Sequence, residues 1–197
     1  PCAGVTAWRG LVTRGGLRAG QTVLCLGTGG VSIFGLQIAQ ALGARVIITS
    51  SSDAKLERAR RLGAWATVNY REVDDWEREV WRLTDKRGVD HVLEVGGPGT
   101  LEHSIRCAAP EAHVALIGVL TGFGPPQGSL FPLVSRNATM DGIYVGSRAD
   151  LIALSDEFAK HTVAPVVDRV FDFAAVPEAY EYLGSGAHFG KVVVRLP

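Results

Sequence analysis

The chain has 197 residues, 47% of them hydrophobic, enough apolar material for one large domain or a domain with an appendage. Lys plus Arg and Asp plus Glu balance at 20 each, so charge makes no case for a nucleic-acid groove or an anionic membrane surface. Cys2, Cys25 and Cys107 are widely spaced and form no CxxC pair, which argues against a disulfide framework and for a reducing, cytoplasmic compartment; no run reaches the ~18 apolar residues of a membrane helix.

The opening "PCAGVTAWRG" has neither the basic start nor the long apolar core of a signal peptide, and no initiator Met, so a piece of a longer protein is expected. A lead-in helix precedes a strand over 22–26. A helix over 31–42 follows, with Ile33, Leu36, Ile38, Ala39 and Leu42 on its apolar side. Next come a strand over 46–49, a helix over 54–62 and a short strand over 66–69. A charged helix over 74–84, a strand over 91–94, a helix over 100–107 and a strand over 113–117 continue the rhythm. Strands alternating with helices imply a parallel sheet covered on both faces, and the solidly apolar central strands agree. The alternation breaks at 118–133, where Gly and Pro accumulate and a long loop is expected. A strand over 139–145 and a helix over 148–160 restore it. The tail differs in kind: strands over 166–173 and 191–196 flank a helix over 177–183.

"GTGGVS" follows the first strand and opens the first helix after it. Gly27 permits a tight turn, Gly29 lets the backbone approach a pyrophosphate, and Ser32 takes the third position, where a small residue allows close helix–strand packing. Thr28, Gly30 and Val31 complete a turn whose helix start aims free N–H groups at phosphates. The strand–turn–helix context is what this motif needs to indicate a dinucleotide. "VLCLGTGG" also resembles the opening of S-adenosylmethionine methyltransferases, but the acids those carry at position 25 and after the second strand are absent. The carboxylate that accepts from a ribose is replaced by Ser50, next to Ser51, with Lys55 one turn into the following helix. Hydroxyls and an ammonium suit a 2′-phosphate, so NADP(H) is expected over NAD(H). Asp53 is the complication: it can recognise a ribose or serve as an N-cap. The arginines at 58, 60 and 61 read as a solvated helix face, the five histidines as surface or cap residues, and Cys25 and Cys107 as packing.

"PCAGVTAW", "GLRAGQTVLCLGTGGVS", "GARVIITSSSDAKLERARRLGA", "GVDHVLEVGGPGTLEHSIRCAAPEAHVALIGVL", "IYVGSR" and "HFGKVVVRL" occur in the order found in the medium-chain dehydrogenase/reductase superfamily. The chain resembles zinc-type alcohol dehydrogenases and their quinone oxidoreductase relatives over nearly its whole length. The resemblance implies a Rossmann doubly wound parallel sheet with helices on both faces, residues 1–163, and C-terminal strands, residues 164–197, that return to a GroES-like catalytic domain absent from this sequence. It implies further cofactor contacts at Tyr70, at Val95, Gly96 and Gly97, at Ile117 and Gly118, at Tyr144 and Val145, and at Lys191; for Tyr70 and Lys191, an aromatic over a strand end and a solvated lysine are the simpler readings. Through "CxxxT", Cys2 resembles a catalytic zinc ligand, or else it is a small buried residue at a helix start. Its partner ligands would lie in the absent domain, so zinc belongs to a full-length parent and is not expected in this chain. The implied activity is hydride transfer between nicotinamide and a small alcohol or carbonyl substrate by a homodimer. A zinc-independent quinone or enoyl reductase is the alternative, and a cofactor-binding module without catalysis is the reading from a different class. The fragment alone is expected to be inactive, its catalytic residues lying mostly in the absent domain.

Overall fold

β1 (Thr22–Leu26) is buried along its whole length and serves two cores at once, Val23 and Cys25 facing one and Leu24 and Leu26 the other. A strand buried on both faces needs helices above and below it, which is the arrangement found in this computed structural model, which describes residues 1–126 and 128–197. β2 (Arg45–Ser50), β3 (Ala66–Asn69), β4 (Val89–Glu94), β5 (Ala108–Leu116) and β6 (Thr139–Gly142) complete a parallel sheet of order β3-β2-β1-β4-β5-β6. The first core also takes residues from α1 (Cys2–Trp8), which continues as a π-helical stretch over Arg9–Arg14, and from α2 (Gly30–Ala41), α3 (Asp53–Arg61) and, beyond them, α7 (Arg148–Lys160). α4 (Trp76–Leu83) and α5 (Leu101–Arg106) supply Trp76, Val80, Leu101 and Ile105 to the second, and α6 (Phe131–Ser135) is a single short helix near α5.

The chain adds β2 and β3 on one side of β1, then crosses to build β4, β5 and β6 on the other. The reversal between β1 and β4 opens a crevice beyond the carboxyl ends of those strands, the usual ligand position in such sheets. The doubly wound α/β class expected from the alternation is therefore the class observed.

The tail forms β7 (Val167–Asp172), α8 (Val176–Gly184) and β8 (Lys191–Arg195), with β7 and β8 parallel in a separate ribbon. It is fastened to the larger unit. Phe189 is fully buried in the first core, under the Arg58 guanidinium 4.3 Å from its ring centroid. Arg58 also donates to Asp168 at 2.7 Å, and Tyr182 donates to the same carboxylate at 2.6 Å. Val167, Val170, Val193 and Leu196 are exposed on the ribbon.

Several local expectations are corrected. Arg58 is a tie between α3 and the tail, not part of a solvated face; Arg60 and Arg61 do lie on the surface, each 3.5 Å from Glu57. Asp53 is the first residue of α3 rather than its cap, and its carboxylate accepts from Asn69 Nδ2 at 2.8 Å. His91 is a buried sheet residue and not a surface one, its Nε2 3.0 Å from Gln21 Oε1, and His113, which read also as strand core or strand end, is buried in β5 with Nε2 3.1 Å from Asp141 Oδ2. Burial pushes His91 down to about 4, helped by the neighbouring His113. The strand expected over 139–145 stops at Gly142, opposite Leu116 where its partner β5 ends, and Val145 beyond it adopts φ +59, which a β-branched residue seldom does. The loop expected over 118–133 gives way to α6 at Phe131, and position 127 within it lies outside the described residues.

α7 begins in a capping box. Ser147 Oγ accepts from the Asp150 N–H at 3.1 Å, and the Asp150 carboxylate accepts from the Ser147 N–H at 2.7 Å. Thr13 and Arg9 also donate to Asp150, at 2.6 and 3.1 Å. Burial alone would raise that carboxyl, but these donors outweigh it and hold it at about 2. The box anchors α7 to the lead-in helix and fixes the backbone just after Val145.

Candidate coenzyme cleft at the sheet crossover

A cleft of about 760 Å³ lies at the carboxyl ends of β1, β2, β3, β4 and β5. Its floor is the glycine turn. Gly27 sits at φ +71, a conformation L-residues avoid, and Gly29 is the extended N-cap of α2. At both glycines a Cβ would meet no atom within 4 Å, so neither is glycine for lack of room inside the chain. Ser32 Oγ instead bonds back to the Leu26 carbonyl at 2.5 Å, which pins α2 against β1. The close helix–sheet approach falls to Gly35, where a Cβ would overlap Leu93. Its position, three residues past the motif, is the signal that could have identified it.

Thr28, Gly30, Val31, Ser50, Ser51, Lys55, Tyr70, Val95, Ile117 and Gly118 all line the same cleft with Gly27 and Gly29. No carboxylate does, among the described residues; Lys55 and His188 are the cationic or basic groups there. Ser50 is buried and accepts weakly from the Ser52 N–H at 3.4 Å, while Ser51 is half-buried. Lys55 Nζ donates to the Gly186 carbonyl, and desolvation lowers its pKa, partly opposed by Asp168. Tyr70 is half-exposed at the cleft wall, its N–H bonded to the Ser50 carbonyl at 3.1 Å.

Other sequence candidates lie beside the cleft. Gly96 opens onto an adjoining recess of about 460 Å³ that shares Leu26, Gly27 and Tyr70 with it, and Gly97 onto a smaller one near Pro98. Lys191 lies across the start of α2, where a Cβ on Gly30 would come within 2.9 Å of its Cδ. Tyr144 points away, 96% exposed, and Val145 is held behind it in its strained conformation. Cys2 is exposed at the start of α1 rather than buried, and Ala3 beside it abuts Gly30. Among the described residues no group of three His, Cys, Asp or Glu side chains is placed to hold a metal ion, so Cys2 alone makes no metal centre here. Cys25 and Cys107 are buried, and burial pushes both thiols up.

Two contributors carried no sequence signal of their own kind. Leu183, Gly184, Gly186 and His188 bring the α8–β8 loop to the cleft, and the Gly190 N–H donates to the Thr28 carbonyl at 3.0 Å. Glu94, which read as strand core or strand end, is fully buried and bonds to the turn that follows it.

The open glycine cradle, the start of a twelve-residue helix and the absence of acid among the described lining residues fit a dinucleotide pyrophosphate. Residues 30–160 match the family model for zinc-binding dehydrogenases. The chain belongs to that family. A zinc-type alcohol dehydrogenase-like protein of Schizosaccharomyces pombe is 45% identical to this chain, over all of it and 58% of the relative. The crystal structure of a candidate alcohol dehydrogenase from Sinorhizobium meliloti superposes with a TM-score of 0.94 at 46% identity, covering 100% of this chain and 57% of that one. A structure described as an NAD-dependent alcohol dehydrogenase gives 0.91 at 34% identity, again over 100% and 57%. The chain thus spans under three fifths of the length of each of these three relatives. No helix among its described residues is long and apolar enough to cross a membrane.

Proposed function

We propose that the chain is the NADP(H)-holding portion of an oxidoreductase that moves a hydride between nicotinamide and a small alcohol or carbonyl. The observation that carries the reading is the pair Gly27 and Gly29, open above their Cα atoms at the floor of the 760 Å³ cleft. Bound there, the coenzyme supplies the hydride chemistry. The amides of Gly30, Val31 and Ser32 would bind its pyrophosphate, with Lys191 alongside. Ser50, Ser51 and Lys55 would recognise a 2′-phosphate, Lys55 exchanging its bond to Gly186 for one to the phosphoryl group. Val95, Gly96, Gly97, Ile117 and Gly118 would orient the nicotinamide side.

The preference for NADP(H) is supported by the lack of a carboxylate among the described residues lining the cleft, Asp53 being turned to Asn69. Equilibrium titration with both reduced coenzymes tests it: tighter NADPH binding is expected, and tighter NADH binding would refute the preference. In a longer protein, Cys2 would serve as one zinc ligand, residues 164–197 would join a second domain, and the exposed edge strand β6 would pair with a second copy in the cytoplasm. Light scattering checks that pairing, and a monomer at high concentration would count against it.

A further inference from the structure

Beyond the coenzyme reading, on which it rests, the structure assigns Glu94 as the positioning residue for the nicotinamide half of the cleft. Glu94 ends β4 and is completely buried. A carboxyl group taken out of water is tolerated only where donors surround it. Four do. Oε1 accepts from the N–H groups of Gly96 at 2.8 Å and Gly97 at 3.0 Å and from Thr100 Oγ1 at 2.6 Å, and Oε2 accepts from Ser104 Oγ. Its main-chain carbonyl accepts from Ile117 at 2.8 Å and Gly118 at 3.0 Å. One residue thus holds the ends of two adjacent strands.

The lacing continues outward. Thr121 donates to the Gly96 carbonyl through its N–H at 2.8 Å and its hydroxyl at 2.9 Å. A Cβ on Gly118 would overlap the Val95 carbonyl, so the two backbones lie in direct contact. Val95, Ile117 and Gly118 consequently present to the cleft in one fixed arrangement. Among the described residues no such hydrogen bond runs from this turn to Gly27, Ser50 or Lys55. Loss of the Glu94 acceptor is therefore expected to misplace the nicotinamide side while leaving the adenosine side as it was.

The test measures affinity for whichever of NADH and NADPH binds better, and for its adenosine half alone, 5′-ADP or adenosine 2′,5′-bisphosphate. Glu94→Leu is expected to weaken the whole dinucleotide roughly tenfold or more and the fragment less than about twofold. Glu94→Gln is expected to restore dinucleotide affinity to within about threefold, since its amide carbonyl can meet Gly96, Gly97 and Thr100 while its NH₂ donates to Ser104. Thr100→Val, which removes one donor and is gentler on folding, is expected to show the same split at about threefold. Equal losses for dinucleotide and fragment, no loss for either, or a Gln variant as weak as the Leu variant would overturn the assignment. If the unaltered protein bound neither dinucleotide nor fragment, the coenzyme reading itself would fall and take this assignment with it.

Discussion

Gly27 and Gly29, after β1, have nothing within 4 Å of where a Cβ would stand, whereas Gly97 and Gly118, after β4 and β5, are pressed against backbone. Both turns read alike in sequence, as glycines closing an apolar strand. In the first, the missing side chain leaves room for something outside the chain. In the second, it lets one part of the chain touch another. A substitution at Gly29 should therefore spare the fold and harm binding, whereas one at Gly118 should strike the fold first.

The largest effect is expected at the second turn. Gly118→Ala drives a methyl into the Val95 carbonyl and should cost about 3 kcal/mol in denaturant unfolding. An unchanged midpoint would mean that β4 and β5 separate more easily than their contact implies. Next comes Gly29→Val. Its backbone, at φ −75 and ψ −179, suits a β-branched residue, so stability should stay within about 0.5 kcal/mol while dinucleotide affinity falls roughly a hundredfold. A variant that unfolds, or that binds normally, would erase the contrast between the turns.

The smallest effect is pH-dependent and belongs to the β4–β5 side, where His91 and His113 stand with ring centroids 6.0 Å apart. Burial holds the folded His91 at about 4, below its ordinary value near 6.5. The unfolded chain then binds the proton first, so the contribution of neutral His91 is present near pH 7 and is lost as pH falls from about 6.5 toward 4. A loss of about 2 kcal/mol between pH 7 and pH 5 is expected, reduced in His91→Gln. Identical pH profiles for the two proteins would show that the ring titrates without a folding penalty.

What could be read from the sequence was local. Apolar periodicity located the main strands and helices, and the glycine turn located the floor of the cleft, because each depends on residues a few positions apart. Arg58 meeting Asp168, Lys55 meeting Gly186 and Gly190 meeting Thr28 join residues more than a hundred positions apart, and no periodicity reports such meetings. Glu94 was closer to legible: an acid inside "HVLEVGG", with Thr100 and Ser104 just beyond, announces a buried acceptor whose donors follow it. His91 was misread because a histidine in a strand carries no mark of its depth. The strand at 139–145 was overrun because its length is set by the partner β5, which ends at Leu116 opposite Gly142, and not by local preference.

The single hydrogen bond from Gly190 to the Thr28 carbonyl has a mechanical corollary. It makes the coenzyme floor and the terminal ribbon two leaves of one joint. Peeling the ribbon away must strip a donor from the carbonyl of the very loop that would embrace phosphate, so occupancy of that loop should resist the peeling. Deuterium uptake at Gly190 ought then to slow when the better-bound coenzyme is added, and an unaltered rate would show that the leaves swing independently.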